Sequence, residues 1–153
     1  MAKLNSGSEN VETCMFCLIA DDQDKKTEVI KKNKELVCFR DIAPAAPHHY
    51  LVVPKQHIHD CSSLHSGHVD LVERMVKMGK AVLHDQGVAD MKDIRCVLGF
   101  HPPPYTSVDH LHLHVLAPAS QIFQKKKYKF IPCSHRFVTV SIEDEKLLFN
   151  TMI

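Results

Sequence analysis

Three histidines alternate with apolar residues in the run His110-Leu111-His112-Leu113-His114-Val115-Leu116. Successive side chains of a β-strand point to opposite faces, so such a run sets three imidazoles on one face and Leu111, Leu113 and Val115 on the other. Same-face neighbours lie about 6.5–7 Å apart along a strand, close enough for two imidazoles to flank one phosphate. Near neutral pH an imidazole can act as nucleophile, proton carrier or metal ligand. The chain has 12 histidines in 153 residues, and at that density roughly 0.07 triplets of this spacing arise by chance. The competing reading is a polar strand face that is merely rich in histidine. A second candidate is Cys14-Met15-Phe16-Cys17, which is either half of a zinc site or a pair of thiols packed in a core.

The composition excludes several alternatives. With 19 basic and 18 acidic residues the net charge is +1, so no global field argues for nucleic acid as a partner. The basic stretch Lys125-Lys126-Lys127-Tyr128-Lys129 reads as a solvated face. Only 5 glycines are present and none forms a phosphate-cradling loop, which argues against P-loop and Rossmann nucleotide binding. No apolar run reaches the ~18 residues of a membrane span, so no membrane partner is expected. The cysteines at 14, 17, 38, 61, 96 and 133 are scattered, and Met1 to Ser6 carries no apolar segment. Both features point to a reducing compartment, cytoplasmic with passage to the nucleus.

The elements that must position these groups follow from periodicity. Residues 1–12 read as a disordered lead, and one domain accounts for the rest. Glu28–Ile30, Glu35–Phe39 and Tyr50–Val53 read as strands, the third ended by Pro54. From Ser66 to Gln86 the apolar residues Val69, Val72, Val76 and Leu83 follow helical steps, widened by Leu71, Met75 and Val82, and Gly87 marks a stop. That wide stripe could serve both a core and a neighbouring copy. Ile94–Phe100, Asp109–Leu116 and Phe137–Val140 read as further strands, and Ser141-Ile142-Glu143-Asp144 as the cap of a short terminal helix. The order predicts an α+β fold with a mostly antiparallel sheet and one long helix.

The triad run, with Cys14-Met15-Phe16-Cys17, Phe39-Arg40-Asp41-Ile42 and His49-Tyr50-Leu51-Val52-Val53-Pro54-Lys55-Gln56-His57, resembles the histidine triad superfamily in order and spacing over about residues 14–118. Gly99-Phe100-His101-Pro102-Pro103-Pro104 and the tail after Ala117 look most like its type 3 nucleotide-binding branch, which is similar to the aprataxin catalytic domain. The resemblance implies a histidine triad domain over 13–120 with a five-stranded sheet, a C-terminal extension over 121–153, and a homodimer or larger oligomer. It implies a nucleoside phosphoramidate hydrolase that releases AMP from a purine nucleotide substrate, acts also on acyl-adenylates, and needs no cofactor for catalysis.

Residue by residue, the resemblance makes His112 the nucleophile, with its distal ring nitrogen donating to the carbonyl of His110. His114 matches the contact to the phosphate oxygens, Ser107 the hydroxyl near the leaving group, and His49 a histidine packed behind the triad. Asp41 matches the acid that binds the ribose hydroxyls, and Phe16, Ile19, Phe39, Arg40 and Ile42 match the base pocket. Some members complete a structural zinc site with residues matching Cys14, Cys17, His57 and His110. Gly99 stands where the better-known phosphoramidase branch has an asparagine, and Thr106 where it has a glutamine. Two rival functions are a polynucleotide 5′-adenylate hydrolase and a nucleotide-binding adaptor with slow residual hydrolysis. Against the first, repair enzymes of that kind carry an added zinc finger, and only Cys133 and His135 follow residue 120.

Overall fold

The computed structural model describes residues 14–88, 96–132, 134–143 and 146–150. The lead expected over 1–12 lies outside these. Alternating apolar residues build the strands β1 (Val29–Lys32), β2 (Leu36–Arg40), β3 (His48–Pro54), β4 (Val97–Phe100), β5 (Leu113–Ala117), β6 (Val138–Glu143) and β7 (Lys146–Asn150). They form one sheet in the order β1-β2-β3-β5-β4-β6-β7, and every neighbouring pair is antiparallel.

Seven strands stand where five were expected. The terminal helix expected from Ser141 is instead the β6–β7 hairpin, in which Val140 pairs with Phe149 and Ile142 with Leu147. The β-branched run Val138-Thr139-Val140 favours a strand, and pairing of β6 with β4 and β7 removes any use for a helix cap.

Among the described residues two α-helices cover the sheet. The short α1 (Met15–Ala20) lies on the face of Val37, Phe39, Leu51 and Val53. The long helix α2 (Val69–Asp85) packs Leu71, Val72, Met75, Val76, Met78, Val82 and Leu83 against Tyr50, Val52, Leu98, Leu113 and Val115, while Val69 at its start stays exposed. Gly87 follows it with a φ of 91°. All of the stripe except Val69 is thus consumed by this chain's own sheet, and the buried part supplies no argument for a second copy.

Gly99 has a structural reason for departing from the asparagine of the better-known phosphoramidase branch. It pairs with Thr139 of β6, and a Cβ there would collide with the Val138 carbonyl oxygen and come within 2.6 Å of the Phe137 ring. Any side chain at 99 therefore competes with β6 for the same edge of β4. Replacing Gly99 with Asn should destabilise the fold by about 1–3 kcal/mol, the usual cost of overpacking a filled site. Urea unfolding measures this, and an unchanged midpoint would contradict the close approach.

Candidate active site

Leu51 of β3 stands opposite His114 of β5, and His49 opposite Leu116. This register puts His49, Leu51, His112 and His114 on the face away from α2. Leu111, Leu113 and Val115 turn into the core beneath α2. Only His114 lies within β5 itself. After Val52 pairs with Leu113 the ladder ends, because the Leu111 N–H donates instead to the Ile58 carbonyl at 2.7 Å. His110 and His112 therefore sit on the extended lead into the strand, whereas a strand was expected from Asp109. The alternation of faces persists, with His112 and His114 ring centres 5.0 Å apart.

The tautomers follow from the hydrogen bonds. His112 Nδ1 lies 2.7 Å from the His110 carbonyl oxygen. A carbonyl can only accept, so Nδ1 carries the proton and Nε2 keeps its lone pair. Behind the triad, the Ala45 N–H donates to His49 Nδ1 at 2.9 Å. The neutral His49 ring must then carry its proton on Nε2, which faces His114 Nδ1 at 3.0 Å. Asp41 Oδ2 lies 3.3 Å from the same Nε2 and shares that proton. His114 consequently accepts at Nδ1 and presents an N–H at Nε2, an atom that is buried without a partner among the described residues. Two separate sets of bonds thus leave a lone pair on His112 and a donor on its neighbour His114.

Burial keeps these rings neutral. It pushes His112 down, pushes His114 well below the ordinary imidazole range, and takes His49 to about 4. The His110 carbonyl opposes the shift at His112, and Asp41 opposes it at His49. The Phe16 ring stands edge-on to His112 at 5.0 Å and contributes to that desolvation.

A cavity of about 500 Å³ opens beside His112. Phe16, Ile19, Phe39, Arg40, Asp41, Ile42, Ser107, His112 and His114 all line it. Arg40 Nε donates to Glu28 at 2.8 Å, which offsets its charge at the cavity wall. Ile42 is fully exposed and borders only the rim. His49 lies behind His114 and outside this cavity.

His110 turns elsewhere. Its Nδ1 lies 3.4 Å from both Cys14 Sγ and Cys17 Sγ, and His57 Nδ1 lies 3.2 Å from Cys17 Sγ. All four donor atoms fall within 4.8 Å of one another. A tetrahedral zinc ion, with bonds of about 2.3 Å to sulfur and 2.0 Å to nitrogen, separates such atoms by roughly 3.5 Å. His110 Nε2 donates to the Pro54 carbonyl at 2.8 Å, which leaves Nδ1 as the ligating atom. The donor set and its orientation fit zinc. The His110 side chain faces the cysteines, away from the cavity beside His112, and its carbonyl accepts from His112 Nδ1.

A second cavity of about 240 Å³ lies past His114 and Ser107. Tyr105, Lys126, Tyr128, Lys129 and Arg136 line it, together with His101, whose ring centre is 4.7 Å from that of His114. The sequence suggests a solvated face for Lys125–Lys129. In the structure Lys126 Nζ donates to the Ala43 and Pro44 carbonyls at 3.0 and 3.1 Å, and Lys129 lines the cavity. Nothing in the local sequence signals this, because the 3₁₀ turn Gln124–Phe130 is held at the site by contacts distant in sequence, with Ile122, Phe130 and Phe137 packing on Ala45 and Leu116.

The chain matches the family model described as "Scavenger mRNA decapping enzyme C-term binding" over residues 13–129. It is 53% identical over 119 residues to adenosine 5'-monophosphoramidase HINT3 of Danio rerio, covering 78% of this chain and 73% of that protein. It is 47% identical over 135 residues to the protein of the same name in Mus musculus, covering 88% and 81%. Among solved structures, a HIT family hydrolase from Legionella pneumophila superposes with a TM-score of 0.60 at 30% identity, covering 69% of this chain and 92% of that one. With the alternating histidines, the antiparallel sheet and these relatives in agreement, the chain belongs to the histidine triad superfamily.

Proposed function

We propose that the protein is an adenosine 5′-monophosphoramidase, a nucleoside phosphoramidate hydrolase acting through a nucleotidyl-histidine on His112. The observation that carries this reading is the His112 Nδ1–H bond to the His110 carbonyl, which leaves Nε2 unprotonated at the wall of the nucleotide-sized cavity. Relatives matched along most of their length carry the same activity in their names.

In the first step Nε2 attacks the α-phosphorus and the bond from phosphorus to the amine nitrogen breaks. The electron pair leaves with the amine, which takes up a proton from solvent. The His112 ring is then cationic, and its Nδ1–H bond to the carbonyl becomes charge-assisted. The His114 Nε2–H donates to a phosphate oxygen where negative charge accumulates. In the second step water attacks phosphorus and loses a proton to solvent, the pair of the phosphorus–nitrogen bond returns to Nε2, and AMP leaves. Splitting one displacement into two is covalent catalysis by a neutral imidazole. Ser107, at the junction of the two cavities, is placed to donate to the leaving group. Acyl-adenylates present the same phosphorus and fall within reach of the same step.

Replacing His112 with Asn should lower AMP release from AMP-lysine by about 10⁴-fold or more, roughly 5 kcal/mol of barrier. AMP binding, measured by calorimetry, should persist. Replacing Ser107 with Ala should cost about 10²-fold, the loss of one donor. Wild-type turnover confined to 5′-adenylated DNA, or no turnover at all, would reject the phosphoramidase reading.

Cys14, Cys17, His57 and His110 are proposed to hold one structural zinc ion. Bound there, it would tie α1 to the lead into β5 and thereby fix the wall that carries Phe16. Protein purified without chelator should contain about one zinc per chain by elemental analysis, and Cys17→Ser should lose both the metal and several degrees of melting temperature. A zinc content near zero, with all thiols titrating readily, would refute it.

A further inference from the structure

We infer that the second cavity, past His114 and Ser107, is a leaving-group subsite selective for amines that carry an oxyanion, a carboxylate or a phosphate. This deepens the phosphoramidase reading and rests on it.

The placement follows from the displacement geometry. The nucleophile and the leaving group stand on opposite sides of phosphorus in an in-line step. His112 lines the larger cavity and is absent from the smaller one, whereas Asp41, His114 and Ser107 line both. A phosphate held at that junction, with its nucleoside among Phe16, Ile19 and Phe39, directs its amine substituent into the smaller cavity. The volume of about 240 Å³ suits a substituent of amino-acid size. It falls below the roughly 300–1,000 Å³ usual for drug-sized ligands.

The selectivity follows from the charges. Three cations, Lys126, Lys129 and Arg136, face a single acid, Asp41. Asp41 is already engaged by His49, and Lys126 by two backbone carbonyls. Among the described residues neither Lys129 nor Arg136 forms an ion pair. The Arg136 guanidinium stacks 4.7 Å from the Tyr105 ring centre and 5.6 Å from that of Tyr128. Stacking orients the guanidinium but leaves its in-plane N–H groups available for a bidentate oxyanion. The charge of Lys129 is felt at His101 and His114, where it opposes protonation. Lys129 lines the same cavity as His114 and Ser107.

The test compares kcat/KM for two matched pairs of adenosine phosphoramidates, all cleaved at the same phosphorus–nitrogen bond. One pair links aspartate or aspartic diamide, the other phosphoethanolamine or ethanolamine. Wild type should favour the charged member of at least one pair by about tenfold, the scale of one charge-assisted hydrogen bond. The pair that responds identifies the oxyanion as carboxylate or phosphate. In Arg136→Gln and Lys129→Gln the preference should shrink to about threefold or less, because the cation is lost and the polar reach kept. Unsubstituted adenosine 5′-phosphoramidate separates the two levels of the argument. If wild type fails to hydrolyse it, the hydrolase reading fails and this inference with it. If wild type hydrolyses it but treats charged and neutral members alike, or if both variants keep the preference, this inference alone is overturned. A 5′-adenylated oligonucleotide that outperforms every small substrate would also overturn it.

Discussion

The rest of the site depends on the hydrogen bond from His112 Nδ1 to the carbonyl of His110. A buried imidazole has two nitrogens and one proton, and whichever nitrogen keeps the proton cannot attack. A carbonyl two residues back along the same extended segment resolves the choice, since it accepts only. The segment must therefore be extended, its carbonyl must be unclaimed by a strand partner, and its face must be dry enough to hold the ring neutral. The early end of the β3–β5 ladder meets the second requirement, and Phe16 with the surrounding core meets the third.

The same logic runs in the opposite sense at His114. There the ring accepts at Nδ1 from His49 and presents its proton forward. Two identical side chains, two residues apart, so receive opposite tautomers from different neighbours. His49 obtains its own orientation from the Ala45 N–H, and the loop carrying Ala45 is pinned by Lys126 and by Phe123, whose N–H donates to the Ala45 carbonyl at 2.7 Å. The segment after Ala117 therefore reaches the His49–His114 pair through the loop before β3, in addition to forming the wall of the second cavity.

Much of this was legible in the sequence where the signal is local. The alternation in residues 110–116 announces a histidine face and an apolar face, and the steps from Val69 to Leu83 announce α2. What was not legible depends on contacts far apart in the chain. His49 and His114 are 65 positions apart, and only the β3–β5 register brings them to 3.0 Å. Gly99 reads as an ordinary strand residue until β6, about 40 positions later, takes the edge beside it. The Ser141–Asp144 pattern satisfies a helix-cap rule locally, yet strand pairing overrides it. Lys129 looks like any surface lysine, because its neighbours at the cavity, Tyr105 and Arg136, come from other parts of the chain.

The central claim is that fixed tautomers, and nothing intrinsic to a histidine, make His112 the nucleophile. Two-bond ¹⁵N–¹H correlation of the imidazole nitrogens in uniformly labelled protein at pH 7 tests it most directly. The account predicts a neutral His112 protonated at Nδ1 with a bare Nε2, and a neutral His114 protonated at Nε2 with a bare Nδ1. A His112 ring protonated at Nε2, or present as imidazolium at that pH, would contradict it.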